Sequence, residues 1–164
     1  RMYQSVDEKL DLVLERRVAA TPSELFWGWT TARTYGEWFC PRPWRVDHCE
    51  LDVRPGGVFA TTMVAPDGQV MPESKGCFLD VQAPHSLVWT NLMREGWIPN
   101  ALPEEGFGMV CRLSFEVLDA QNSLYRAHVR HSTQEGKKQH EAMGFTQGWS
   151  IALDQLLEVI EATR

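Results

Sequence analysis

The chain has 164 residues, of which 43% are hydrophobic, and a formal net charge of −6; this suits one domain over 1–164, with a core spanning about 10–162. An acidic balance with no Lys/Arg run beyond Arg42-Pro43-Trp44-Arg45 argues against a nucleic-acid partner, and no run of 18 apolar residues is present to insert into a membrane. Four widely spaced cysteines, Cys40, Cys49, Cys77 and Cys111, form no CxxC pair and read as free thiols of a cytoplasmic protein. Arg1-Met2 reads as a truncation or junction.

Leu10, Leu12, Leu14 and Val18 share one parity, which predicts a half-buried first strand over Leu10–Val18. Thr21-Pro22-Ser23-Glu24 then starts a helix: Thr21 can cap, Pro22 suits the first helical position, and Glu24 can close a capping box. Leu25, Phe26 and Trp29 give it an apolar face. A second short helix covers Ala32–Trp38 and stops before Pro41 and Pro43.

Strands follow over Arg45–Leu51 and Val58–Val64, joined by the turn Arg54-Pro55-Gly56-Gly57, whose glycines can take positive φ. Pro66-Asp67-Gly68-Gln69 turns into a strand over about Val70–Val81, where Gly76 marks a bulge or a close backbone approach. Pro84-His85-Ser86 leads into a short strand over Leu87–Leu92. From Arg94 to Gly106, Gly96, Pro99, Asn100, Pro103 and Gly106 break the rhythm and predict a long loop, with Trp97, Ile98 and Leu102 tucked against the body.

Met109, Cys111, Leu113, Phe115 and Val117 alternate along the next strand. Its hairpin partner, Leu124–His131, turns Tyr125, Ala127, Val129 and His131 inward and Arg126, His128 and Arg130 outward. From about Glu135 to Ala162 the period becomes helical: Phe145, Trp149, Ala152, Leu156 and Ile160 form a stripe that Ala142, Leu153 and Leu157 widen. Gly144 and Gly148 fall inside it, where they weaken the helix or permit close approach. The order strand, two short helices, about six strands and a long helix predicts an α+β fold. In it a curved antiparallel sheet of six to seven strands wraps a long C-terminal helix.

Several segments carry a family resemblance. They are Arg17-Val18-Ala19-Ala20-Thr21-Pro22, Glu37-Trp38-Phe39, Asp52-Val53-Arg54-Pro55-Gly56-Gly57-Val58-Phe59, Pro66-Asp67-Gly68, Val81-Gln82-Ala83-Pro84-His85-Ser86-Leu87-Val88-Trp89, and Gly148-Trp149 with Leu153, Leu156 and Leu157. Over about residues 12–162 the chain resembles the helix-grip (START-like, SRPBCC) superfamily of START lipid-transfer domains, birch-pollen-allergen-like proteins and polyketide cyclases. Within it the chain is most similar to the branch named after the activator homologue of heat shock protein 90 ATPase. The resemblance implies the helix-grip fold. It leaves three functions open: binding of apolar molecules, cofactor-free cyclase or hydrolase chemistry, and chaperone association.

The residues themselves bear on the first two of these, and the third rests on the resemblance alone. Trp38, Phe39, Trp44, Phe59, Met63, Trp89, Trp97, Met109, Phe145 and Trp149 lie on elements that would converge between sheet and helix, as an adaptable pocket wall or a filled core. His131 is a polar candidate at such a pocket, and Glu73, His128 and Arg130 are further acid/base candidates at its mouth. Cys111 and His131 could face each other as a nucleophile and base. No serine stands in a Gly-x-Ser-x-Gly elbow. Cys40, His48 and Cys49 lack a fourth ligand, and His128 and His131 have opposite parity, so neither metal nor cofactor is expected. The favoured expectation is a pocket for a small apolar molecule, with a homodimer or a chaperone as further partners.

Overall fold

Thr21 opens the first helix as its spacing predicts: its hydroxyl accepts from Glu24 N–H, and the Glu24 carboxylate accepts from Thr21 N–H at 2.9 Å. The structure, a computed structural model, describes residues 5–102, 104 and 106–164; Arg1-Met2, where a junction is expected, and Pro103 of the loop lie outside these. Strand β1 (Asp11–Val18) leads into helix α1 (Pro22–Thr30), a 3-10 turn over Ala32–Thr34 and helix α2 (Tyr35–Trp38). Strands β2 (Arg45–Leu51), β3 (Val58–Val64), β4 (Ser74–Gln82) and β5 (Ser86–Thr90) follow, then the short strands β6 (Met93–Arg94) and β7 (Ile98–Pro99). The chain closes with β8 (Met109–Val117), β9 (Ser123–His131), α3 (Gln134–Ala142) and α4 (Phe145–Ala162).

Seven strands form one sheet in the order β1-β9-β8-β5-β4-β3-β2, and every neighbouring pair is antiparallel. The parity of each strand sends one set of side chains to the inner face. Leu12 and Leu14 lie beside Val129 and Ala127, and Cys111, Leu113 and Phe115 beside Val129, Ala127 and Tyr125. Helix α4 buries Phe145, Ala152, Leu153, Leu156 and Ile160 against this face and α1. Burial of Leu or Phe side chains contributes about 1.5–3 kcal/mol each, so this layer dominates stability.

Four expectations change. The C-terminal helical stretch is two helices, because Gly144 adopts φ +84°, a left-handed conformation that ends α3 and starts α4. Ala142 consequently leaves the stripe and is exposed. The strand expected from Val70 begins at Ser74; Pro72 has no N–H to donate, and Val70 keeps only an isolated bridge to Val64. The segment from Arg94 contains the β6–β7 hairpin. There Trp97, Ile98 and Leu102 are 55%, 47% and 57% exposed rather than tucked in. Val117, at the end of β8, is also exposed, since parity loses its meaning where the strand runs past the helix layer.

Gly76 has the second of its two expected roles. A Cβ there would lie 2.5 Å from Thr90 O and 2.9 Å from Phe59 O, so the neighbouring strands require glycine, while the β4 irregularity falls between Phe78 and Asp80. Among the described residues no helix is long and apolar enough to cross a membrane.

Candidate functional site

The inner face of the sheet does not close completely against the helices. A cavity of about 640 Å³ lies between the helices α1 to α4 and strands β3, β4, β5, β8 and β9. Its aromatic wall is continuous. Trp29 meets Trp38 edge to face at 5.0 Å, Trp38 meets Phe39 at 5.5 Å, Phe39 meets Phe59 at 6.2 Å, and Phe59 stacks on Trp89 at 4.3 Å with rings 4° apart. These side chains converge because α1 and α2 present Trp29, Trp38 and Phe39 at helical spacing while β3 and β5 present Phe59 and Trp89 at strand spacing.

The loop between α2 and β2 is fastened to α4 by one side chain. Gln155, buried, donates to Trp38 O at 3.1 Å and Cys40 O at 2.8 Å and accepts from Arg42 N–H at 3.0 Å. This fixes Cys40, Pro41 and Trp44 along one rim of the cavity. Met143, at the α3–α4 corner, stands on the rim too; Met143 and Trp44 are 70% and 37% exposed, which marks the opening. Gln155→Leu should lower stability by about 2–3 kcal/mol, because it strands two carbonyls and one N–H. Urea denaturation would measure this, and an unchanged midpoint would contradict it.

At the other end of the helix pair runs a chain of ring hydrogen bonds. Trp149 Nε1 lies 3.2 Å from His140 Nε2, His140 Nδ1 lies 2.9 Å from His131 Nε2, and His131 Nδ1 lies 2.7 Å from Leu10 O. An indole N–H can only donate and a carbonyl can only accept, so both tautomers are fixed. His140 accepts at Nε2 and donates from Nδ1; His131 accepts at Nε2 and donates from Nδ1. Both imidazoles are therefore neutral. Burial lowers the His140 pKa to about 4, with His131 adding to the effect; burial also lowers that of His131. Phe107 covers His140 at 4.5 Å between ring centroids.

The sequence pattern of the family described as activator of Hsp90 ATPase homolog 1-like protein matches residues 19–161. The chain belongs to this family. A solved structure of a protein from Nitrosomonas europaea is 33% identical, with 96% of this chain and 98% of that one covered and a TM-score of 0.89. A Rhodobacter sphaeroides protein shares the fold at 18% identity and TM-score 0.79, with 98% of each chain covered. The Aeromonas hydrophila protein called AHSA1-like does so at 18% identity and TM-score 0.66, with 94% of each chain covered. No curated protein matches.

In this member of the activator-homologue-like family, Trp38, Phe39, Trp44, Phe59, Met63, Trp89, Met109, Phe145 and Trp149 all stand in the cavity wall. Trp97 and His131 do not. Trp97 lies on the β6–β7 hairpin with its ring over Gly56, and His131 sits behind His140. Glu73 is also outside the wall, and His128 faces the opposite side of the sheet, where its Nε2 lies 2.8 Å from Asp11 Oδ2. Cys111 pairs in register with Val129, one alternation from His131, and full burial pushes its thiol well up, which opposes a thiolate nucleophile. The wall also holds the polar residues His140, Asn91, Thr61 and Ser74, which are not pocket candidates from sequence. The sequence of α3 is polar nearly throughout and gives no signal for His140; the structure shows that Gly136 and His140, four apart, are its buried positions.

Proposed function

We propose that the protein binds one small, uncharged apolar or aromatic molecule in the cavity between sheet and α4. The observation that carries this reading is the composition of the wall. Aromatic and Met side chains dominate it, and no Asp, Glu, Lys or Arg stands in it among the described residues. An ion entering such a site would lose hydration without a counter-charge, at a cost of several kcal/mol. A flat or aliphatic neutral molecule would exchange water for aromatic surface.

The histidine chain favours binding over cyclase or hydrolase chemistry. The His140 Nε2 lone pair already accepts from Trp149, and its Nδ1 proton is committed to His131. Neither position is free to abstract a proton while the chain holds. A second reading, association with a chaperone, is favoured by the exposed Trp97, Ile98 and Leu102 beside the family membership. Its test is stimulation of an Hsp90-type ATPase, lost when Trp97 is replaced by Ser.

For the leading reading, isothermal titration with 2-isopropenylnaphthalene, a neutral naphthalene-sized probe, should show saturable binding at one site. Native mass spectrometry of gently purified protein should show at most one retained small molecule per chain. Absence of saturable binding by neutral probes up to their solubility would overturn the proposal.

A further inference from the structure

Two buried donor groups of the cavity wall, on Tyr125 and Trp89, hold protons without an acceptor. Tyr125, on the inner face of β9, accepts at its hydroxyl from Trp29 Nε1–H at 3.1 Å. Tyr125 and Trp29 both line the cavity, and both are buried. The phenol proton has no acceptor among the described residues. Burial raises the Tyr125 pKa, so the group stays a phenol and keeps that proton.

Trp89, also in the wall and 4% exposed, carries an indole N–H that is buried without a partner. Several acceptors of the wall are already engaged, and the Thr61 and Ser74 hydroxyls there do not reach the Trp89 N–H. The Asn91 side-chain oxygen takes Met109 N–H at 2.8 Å while its amide donates to Phe107 O, and the His140 and His131 lone pairs take Trp149 and His140 respectively. Unpaired buried donors are rare in folded proteins and mark a place where a partner belongs.

We propose that the cavity selects a neutral molecule with a carbonyl-type oxygen, and that Tyr125 Oη–H donates to that oxygen. Trp29 is the positioning residue: by occupying one lone pair of the phenol it turns the Tyr125 proton away from itself. The proposal rests on the binding reading above and adds the polar group that the ligand must carry. An anionic oxygen would also satisfy the donor, but the wall offers no cation to balance it.

The test uses three matched probes: 2-acetylnaphthalene, its hydrocarbon isostere 2-isopropenylnaphthalene, and 2-naphthoate. Each is titrated against the wild-type protein and Tyr125→Phe. Comparing the two neutral probes across both proteins cancels their different hydration. The expected result is that Tyr125→Phe weakens the ketone about tenfold and the hydrocarbon less than about twofold, while naphthoate binds neither protein measurably at pH 7. Equal weakening of ketone and hydrocarbon, or tight binding of naphthoate, would overturn the proposal and leave a general apolar binding site standing. Failure of all three probes with the wild-type protein would overturn the binding reading and this one together.

Tyr125→Phe leaves Trp29 Nε1 without an acceptor, so a variant-free measurement runs in parallel: the infrared carbonyl band of bound 2-acetylnaphthalene. A shift to lower frequency than in cyclohexane is expected of an oxygen accepting from Tyr125, and a band at the cyclohexane position would overturn the proposal.

Discussion

Replacing Gly148 by Phe is expected to abolish uptake of the neutral naphthalene probes, a loss on the order of 100-fold or more, without unfolding the protein. Gly148 lies one turn into α4 and lines the cavity. A Cβ built there meets only Pro41 Cγ, at 4.0 Å, which is ordinary contact, so the backbone tolerates a side chain. Its φ is not positive, unlike that of Gly144, and a residue other than Gly in a helix interior gains up to about 1 kcal/mol of propensity. The Phe ring would then extend from the wall beside Pro41 into the space that the proposed ligand would fill. Titration with 2-isopropenylnaphthalene checks the loss, and thermal unfolding checks the fold. Undiminished binding by a folded Gly148→Phe protein would place the ligand elsewhere.

Gly144 and Gly148 both interrupt a helical stripe, and spacing alone gives them the same meaning. The structure separates them by backbone angle: Gly144 takes φ +84° and turns the chain, whereas Gly148 stays helical and leaves a gap. Strand positions were more legible. The limits of β2 and β3 follow from the turn residues that flank them, those of β8 from alternation, and the Thr21 capping box is a local event over four residues.

What could not be read was any property requiring two distant elements. His131 stood out as an inward residue on β9, and it is buried, but α3 inserts His140 between it and the cavity. Trp97 and Ile98 have the composition of packed residues, and only the hairpin geometry shows them facing solvent. Large apolar side chains identify surface that must be covered in most proteins; they do not say whether the cover comes from the same chain.

The same inserted histidine makes stability depend on pH in a definite direction. In the unfolded chain His140 titrates near 6.5, whereas in the folded protein its pKa is lowered to about 4. Above pH 6.5 both states are neutral at this residue and it imposes no penalty. As pH falls below 6.5 the unfolded chain gains a proton that the folded protein refuses until about pH 4. The unfolded state then binds more protons, so stability falls with falling pH through this window and levels off below it.

Between pH 7 and 5 the loss from His140 should be about 2 kcal/mol, and at most about 3 kcal/mol by pH 4. His131, lowered by burial, adds in the same direction; its hydrogen bond to Leu10 and the charge of Asp11 work against the shift, and Lys137 works with it. The cause is structural as well as dielectric. A proton on His140 Nε2 would point at the Trp149 N–H, and a proton on His131 Nε2 would point at the one His140 donates. His140→Gln supplies an oxygen to accept from Trp149 and an N–H to donate to His131, yet does not titrate. Urea unfolding at pH 7 and 5 should therefore show a loss of stability in the wild-type protein that shrinks to less than about half in His140→Gln. Equal losses in both proteins would show that the pair is not what the acid attacks. The cavity wall then gains a further constraint, since only while His140 stays neutral does Trp149 remain held across the gap.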